Sequence, residues 1–148
     1  MHTSYHNSRS ANLQSIDTGA GQYAGIFVTD VISHTRDGAY GNHVYRVTYE
    51  TICTYSDTVD FLWSEAGREF MAAHDLEEDD IDVLADCDSP IDDDDDYRRF
   101  QKLRALICIA CDCDAVEEND GWLVVRGKIE YIGTRGSDAH EQAIENEE

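Results

Sequence analysis

Hydrophobic and polar positions change period several times along the chain, and each change marks an element. Residues 43–54 (HVYRVTYETICT) alternate, with Tyr45, Val47 and Tyr49 on one side and Val44, Arg46, Thr48 and Glu50 on the other, which predicts a half-buried strand. Before it, residues 22–33 (QYAGIFVTDVIS) are rich in aromatic and β-branched side chains and predict a long strand with Gly25 as a bulge or bend. The Asp37-Gly38 and Gly41-Asn42 pairs make residues 34–42 a mobile hairpin loop. Residues 58–63 (TVDFLW) read as a third, shorter strand, after which Ser64 caps a helix running to Ala73. A second helix is predicted over 97–111, capped by Asp95 or Asp96. Phe100, Leu103, Leu106, Ile107 and Ala110 form its apolar stripe, and Arg98, Arg99, Lys102 and Arg104 fall largely outside that stripe. Residues 112–121 read as a polar turn and 122–133 (WLVVRGKIEYIG) as a closing strand, with Arg126, Lys128 and Glu130 opposite Leu123, Val125, Ile129 and Tyr131.

The ends lack such patterning. Residues 1–20 predict a flexible arm, 21–135 one domain, and 136–148 an acidic tail without a packing face. At 148 residues the chain is expected to hold a single domain. The longest apolar runs are far too short for a bilayer, so no membrane partner is expected. The first ten residues, MHTSYHNSRS, contain no apolar core of a secretory signal, which leads to the expectation of a cytoplasmic protein.

Charge alters this picture. The 32 Asp and Glu against 11 Lys and Arg give a formal charge of -21 at pH 7, a field that repels nucleic acid and anionic lipid. Between 75 and 96 stand thirteen acids and no base, interrupted by Pro90, which predicts a loop or lid with one helical turn at 75–96. Residues 98–135 are the reverse, with seven bases against six acids. Five cysteines, an odd number, indicate free thiols. The spacing of Cys108, Cys111 and Cys113 lacks a second close pair to complete a zinc site, so no metal or cofactor is expected. Nucleophile–base pairs, phosphate loops and specific carboxylate sites are absent from the sequence pattern, and no enzymatic activity is expected.

Several aromatic-rich strands interrupted by a helix predict a mainly β fold with one or two helices, an OB-like small Greek-key barrel. Such barrels bind single strands by stacking bases on aromatics beside a basic groove. Arg36, Tyr40, Arg46, Arg126, Lys128 and Arg135, with Tyr45, Trp63 and Trp122, are the candidates, and Arg126 and Lys128 are expected on a solvent-facing strand beside Arg46. Gly21, Tyr23, Thr29, Asp30, Leu103, Leu106, Cys108, Gly127, Lys128, Glu130, Tyr131 and Gly133 follow a pattern that resembles a phage family of small OB-like proteins. That family includes single-stranded-DNA-binding and recombination-accessory members, so the resemblance implies single-stranded DNA as partner, in the cytoplasm of an infected cell. Self-association into a homo-oligomer stays open. The acidic insert and the presence of only two lysines depart from the family pattern and support a rival. In the rival reading Asp79, Asp80, Asp92, Asp93, Asp94, Asp95 and Asp96 imitate DNA phosphates and occupy the basic cleft of a host DNA-binding or defence protein. A third reading, acids that keep the protein solvated in high salt, requires them to be spread over the whole surface.

Overall fold

The fold is seen in a computed structural model that describes residues 1–16, 18–19, 23–85, 94–118 and 121–147. Strands β1 (His2–Ser8), β3 (His43–Tyr49) and β7 (Lys128–Thr134) form an antiparallel sheet in the order β1-β3-β7. Strands β2 (Ile26–Val28), β4 (Ile52–Cys53), β5 (Ala115–Glu118) and β6 (Gly121–Val124) form a second sheet in the order β2-β6-β5-β4, antiparallel except for the β4–β5 pair. The alternation of β3 sends Val47 and Tyr49 inward, where they meet Val28, Ala115 and Val124 of the second sheet. Tyr5 and Thr29 exchange backbone hydrogen bonds of 2.8 and 2.9 Å and tie the two sheets at one edge.

Helices cover both outer faces. Helix α4 (Asp94–Ala110) sets Ala105 and Cys108 against Val116 and Leu123 of the second sheet and Val125 just beyond β6. Its opposite stripe, Phe100, Leu103 and Ile107, packs on α1 (Tyr55–Trp63), α2 (Glu65–Ala73) and α3 (Glu78–Leu84) through Leu62, Met71, Leu76, Ile81 and Leu84. Helix α5 (Asp138–Glu147) and a 3-10 helix at Ile32–Arg36 close the far side of the first sheet, with Ala143 and Ile144 against Tyr5 and Ile32.

This architecture overturns the mainly β, OB-like barrel. The described residues hold five α-helices and seven strands in two open sheets, an α+β fold. Local chemistry explains the error. Residues 58–63 are helical because Thr54 and Asp57 form a capping box that starts α1, and Thr58 and Leu62, four apart, face the core. β-Branched composition yielded to the cap and the helical period. The predicted strand at 22–33 shrinks to three residues, because Ala24 sits at φ 61 and the chain coils into the 3-10 helix from Ile32. The stretch read as one closing strand is two, β6 in one sheet and β7 in the other. Gly127 lies at that crossing, where a Cβ would come within 2.6 Å of the Thr48 carbonyl. Residues 2–8 of the expected arm form β1, with Ser4 and Tyr5 buried. The expected tail carries α5, and the acidic stretch carries the seven-residue α3 rather than a single turn. Gly21, where the domain was expected to begin, lies outside the described residues.

Asp114 holds the two strand crossings together. Its carboxylate accepts from the Glu50 amide at 2.9 Å and the Thr51 amide at 3.3 Å, where the chain passes from β3 to β4. The other oxygen accepts from Arg126 Nε at 2.6 Å, and its backbone carbonyl from the Val125 amide at 2.8 Å, where β6 passes to β7. Burial raises the pKa of this carboxyl, but the Glu50 and Thr51 amides and the Arg126 guanidinium outweigh it, leaving the value below the ordinary one. On the opposite side, His140 is fully buried. Its Nδ1 accepts from the Gly136 amide at 2.9 Å, so Nε2 carries the proton that is donated to Thr35 Oγ1 at 2.7 Å, and Thr35 donates to the Ile32 carbonyl at 2.5 Å. Burial lowers the His140 pKa from its ordinary 6.5.

Two outcomes follow from these contacts. Asp114→Asn keeps the shape but loses the ionic acceptor, and is expected to lower unfolding free energy by about 2–3 kcal/mol in urea denaturation. His140 binds fewer protons folded than unfolded, so its contribution is complete above the unfolded pKa and declines as pH falls through about 6.5. Hydrogen exchange of the α5 amides is therefore expected to accelerate from pH 7.5 to 5.5 after correction for intrinsic rates, and to do so less in His140→Gln. An identical pH response in the variant rejects His140 as the cause.

Candidate functional site

The most strongly charged surface lies on the helical layer, and its shape is set by caps and one buried cation. Thr54 starts α1, and the Ser64 hydroxyl accepts from the Gly67 amide at 3.1 Å to start α2 at once. The corner between these helices is so tight that a Cβ on Gly67 would lie 1.8 Å from the Phe61 carbonyl, so only glycine fits there. Helix α3 begins with the Glu77 amide donating to Asp80 Oδ2 at 2.8 Å. It ends on Arg104, whose side chain is 1% exposed. Nε donates to the Leu84 carbonyl at 2.8 Å, Nη2 to the Val83 carbonyl at 2.9 Å, and Nη1 faces Glu118 Oε1 at 3.4 Å. The guanidinium thus satisfies two terminal carbonyls of α3 and places a positive charge at the negative end of its dipole. Arg99 Nη2 donates to the His74 carbonyl at 2.8 Å and fastens the end of α2 to α4.

Residues 55–96, from the start of α1 to the first turn of α4, contain seventeen acids and one base, Arg68. That is -16 of the total -21, whereas the remainder of the chain has fifteen acids against ten bases. Asp57, Asp60, Glu65, Glu69, Asp75, Glu77, Glu78, Asp79, Asp82, Asp94, Asp95 and Asp96 are all exposed. In the acidic set read from sequence, Asp79 lies on this surface, while Asp80 is half-buried as a cap. Asp94, Asp95 and Asp96 form the first turn of α4, where negative charge complements the dipole. Asp92 and Asp93 lie outside the described residues. Sequence reading missed Asp57, Asp60, Glu65 and Glu69, because they are spaced out among apolar residues and only the helical fold brings them beside the acidic run.

The cationic candidates do not assemble into one groove. Arg46 pairs with Glu130, and with Glu147 at 2.5 Å on α5. Arg126 is exposed but lies at the β6–β7 crossing, held by Asp114 and by Asp112 at 3.0 Å. Arg36 meets Glu141 at 2.9 Å, and Arg135 donates to Asn42 Oδ1 at 3.1 Å and to the Arg36 carbonyl at 2.9 Å. Lys128 opens β7 and Arg135 follows its end, which separates them by roughly 20 Å of extended chain. The aromatics divide too. Tyr40 is exposed, but Tyr45 is buried with its hydroxyl donating to the Ser10 carbonyl at 2.6 Å. Trp122 Nε1 donates at 3.1 Å to Asp30, which also accepts from Ser4 Oγ at 2.6 Å.

Cys53, Cys108, Cys111 and Cys113 gather beneath the second sheet, and burial raises all four thiol pKa values, that of Cys53 to about 12. They are protonated packing groups at neutral pH. Among the described residues, no group of three or more His, Cys, Asp or Glu side chains is arranged to hold a metal ion. No described helix is long and apolar enough to cross a membrane.

No protein-family model matches the sequence, and no curated protein does so. A solved structure described as the crystal structure of an anti-CRISPR protein superposes with a TM-score of 0.67. The two chains share a fold. The match covers 88% of this chain and 94% of the other at 17% identity.

The contacts of Arg104 yield a direct test. Arg104→Met leaves Glu118 and two α3 carbonyls without their cation and is expected to cost about 3–5 kcal/mol of stability. Arg104→Lys, which keeps the charge but not the fork, is expected to recover only part of it in the same denaturation experiment.

Proposed function

We propose that this chain is a phage-type inhibitor of a host defence protein, and that its acidic helical layer occupies the basic cleft in which that protein holds nucleic acid. The observation that carries this reading is the charge partition: -16 in residues 55–96 and -5 over the other 106 residues. A surface acidic for the sake of solvation in high salt would not concentrate its charge in this way. Carboxylates on short, tightly joined helices present a fixed anionic surface, and a cleft built for phosphates attracts it through long-range steering. The shared fold with an anti-CRISPR protein supports the class of target. Such an inhibitor acts by occupancy, so it needs no catalytic group, and it works in the cytoplasm, where its target meets nucleic acid.

Single-stranded DNA is the weaker partner. Arg36, Arg46 and Arg126 are already paired with carboxylates, so a phosphate would have to displace an internal partner from each. The acidic layer repels the strand as well.

Guide-loaded CRISPR effectors provide the assay, read as target-DNA binding and cleavage with increasing amounts of this protein. Wild-type protein is expected to suppress target binding by at least one effector. The quadruple change Glu69→Gln, Glu78→Gln, Asp79→Asn and Asp82→Asn, all exposed positions, is expected to weaken inhibition by roughly tenfold or more at low salt and less at high salt. Absence of inhibition of any effector rejects the proposal, and tight single-stranded-DNA binding by the wild type would then favour the nucleic-acid reading.

A further inference from the structure

The helical layer also contains an apolar feature that charge mimicry alone does not require. A groove of about 350 Å³ runs between α1, α2 and α3. Leu62, Met71, Leu76 and Ile81, all buried, form its base, and Glu77 and Glu78 stand at its edge. Trp63 lines the same groove and is 48% exposed, one of the few large apolar side chains in that condition among the described residues. Its position is built: the Gly67 corner ends α1 at Trp63, and the Arg68 guanidinium lies 5.9 Å from the indole centroid. An exposed indole beside an apolar floor offers a short-range contact that carboxylates cannot supply.

We propose that this groove is the anchor point of the partner interface, and that it takes an apolar side chain from a basic amphipathic helix of the target protein. Charge complementarity selects this occupant. Glu77 and Glu78 line the groove together with Arg68, and the helices that form it, with their connections, hold ten acids and that one base over residues 55–84, so the approach to the groove is anionic. A segment with Lys or Arg flanking an apolar side chain satisfies both surfaces, whereas a purely cationic one leaves the groove empty and a purely apolar one gains nothing from the rim. This inference rests on the inhibitor reading and deepens it. Acids supply steering and salt-sensitive attraction; the groove supplies a contact that salt does not screen.

The probe is a synthetic helical peptide with Lys and Arg on one face and Leu at i, i+3, i+4 and i+7 on the other. A control of the same composition has its leucines scattered. Trp122→Phe protein isolates the Trp63 emission, since the chain has two tryptophans. The amphipathic peptide is expected to shift Trp63 emission to the blue, to shield it from iodide, and to retain most of its affinity at raised salt. The scattered control is expected to bind only at low salt, without the shift. Ala72→Phe, at an exposed position that lines the groove, is expected to fill it and lower peptide affinity roughly tenfold without changing net charge. Equal shifts from both peptides, no saturable shift, or unchanged affinity in Ala72→Phe overturn the proposal. A blue shift that grows with the protein's own concentration assigns the groove to a second copy and also overturns it. The same variants in the effector assay separate the two readings. Inhibition that persists in Ala72→Phe and Trp63→Ala overturns the groove and leaves the acidic-layer reading standing. A peptide bound as expected by a chain that inhibits no effector upholds the groove and rejects the defence-protein reading.

Discussion

The helical layer depends on how one buried cation is solvated. The carboxylates that α1, α2, α3 and the first turn of α4 carry repel one another, and folding brings them closer together. Arg104 opposes that repulsion from below. It lies inside the protein, and its guanidinium takes the place of water for the last carbonyls of α3 while facing Glu118 on β5. A lysine has one charged end and cannot span those three acceptors with the same planarity. The acidic helices are consequently tied to α4 and to the second sheet by a contact that neither solvent nor salt reaches easily.

The sheet half solves a different problem with the opposite charge. Two sheets that exchange strands at their corners must turn the chain twice in nearly the same place, leaving amides at both turns without ladder partners. Asp114 accepts from both turns and draws Arg126 onto the same site. Arg126, one of the nucleic-acid candidates read from the sequence, is thereby part of the framework. Arg46 follows the same rule on the other face, where it joins β3 to α5 through Glu147. Cations of this chain largely hold the fold together; its carboxylates largely face solvent. This division of labour is the physical basis for reading the surface as a decoy for phosphate rather than a receptor for it.

An acidic surface alone attracts any basic protein, and so confers rate more than choice. The groove beside Trp63 adds the short-range element that such a surface lacks. Its base is the same cluster of Leu62, Met71, Leu76 and Ile81 that binds α1, α2 and α3 together, so the anchor and the core of the layer are continuous.

What the sequence determined by itself was local or additive. The alternation of residues 43–54 specified β3, Ser64 specified the start of α2, and the stripe from Phe100 to Ala110 specified α4. The acidic excess and its crowding before α4 could be counted directly. Tertiary structure decided everything that depends on which residues meet across distance. Composition favoured a strand at 58–63, but the Thr54–Asp57 box and the need to bury Thr58 and Leu62 made a helix. No periodicity showed that residues 2–8 would pair with β3 or that residues 138–147 would pack over it, because short polar segments gain their order from the surface they cover. The purpose of each arginine was equally hidden, since a guanidinium on a helix or strand looks the same whether its partner is water, a phosphate or, as for Arg46 and Glu147, a carboxylate 101 residues away. Only the fold supplies that partner, and with it the difference between a binding stripe and an internal clamp.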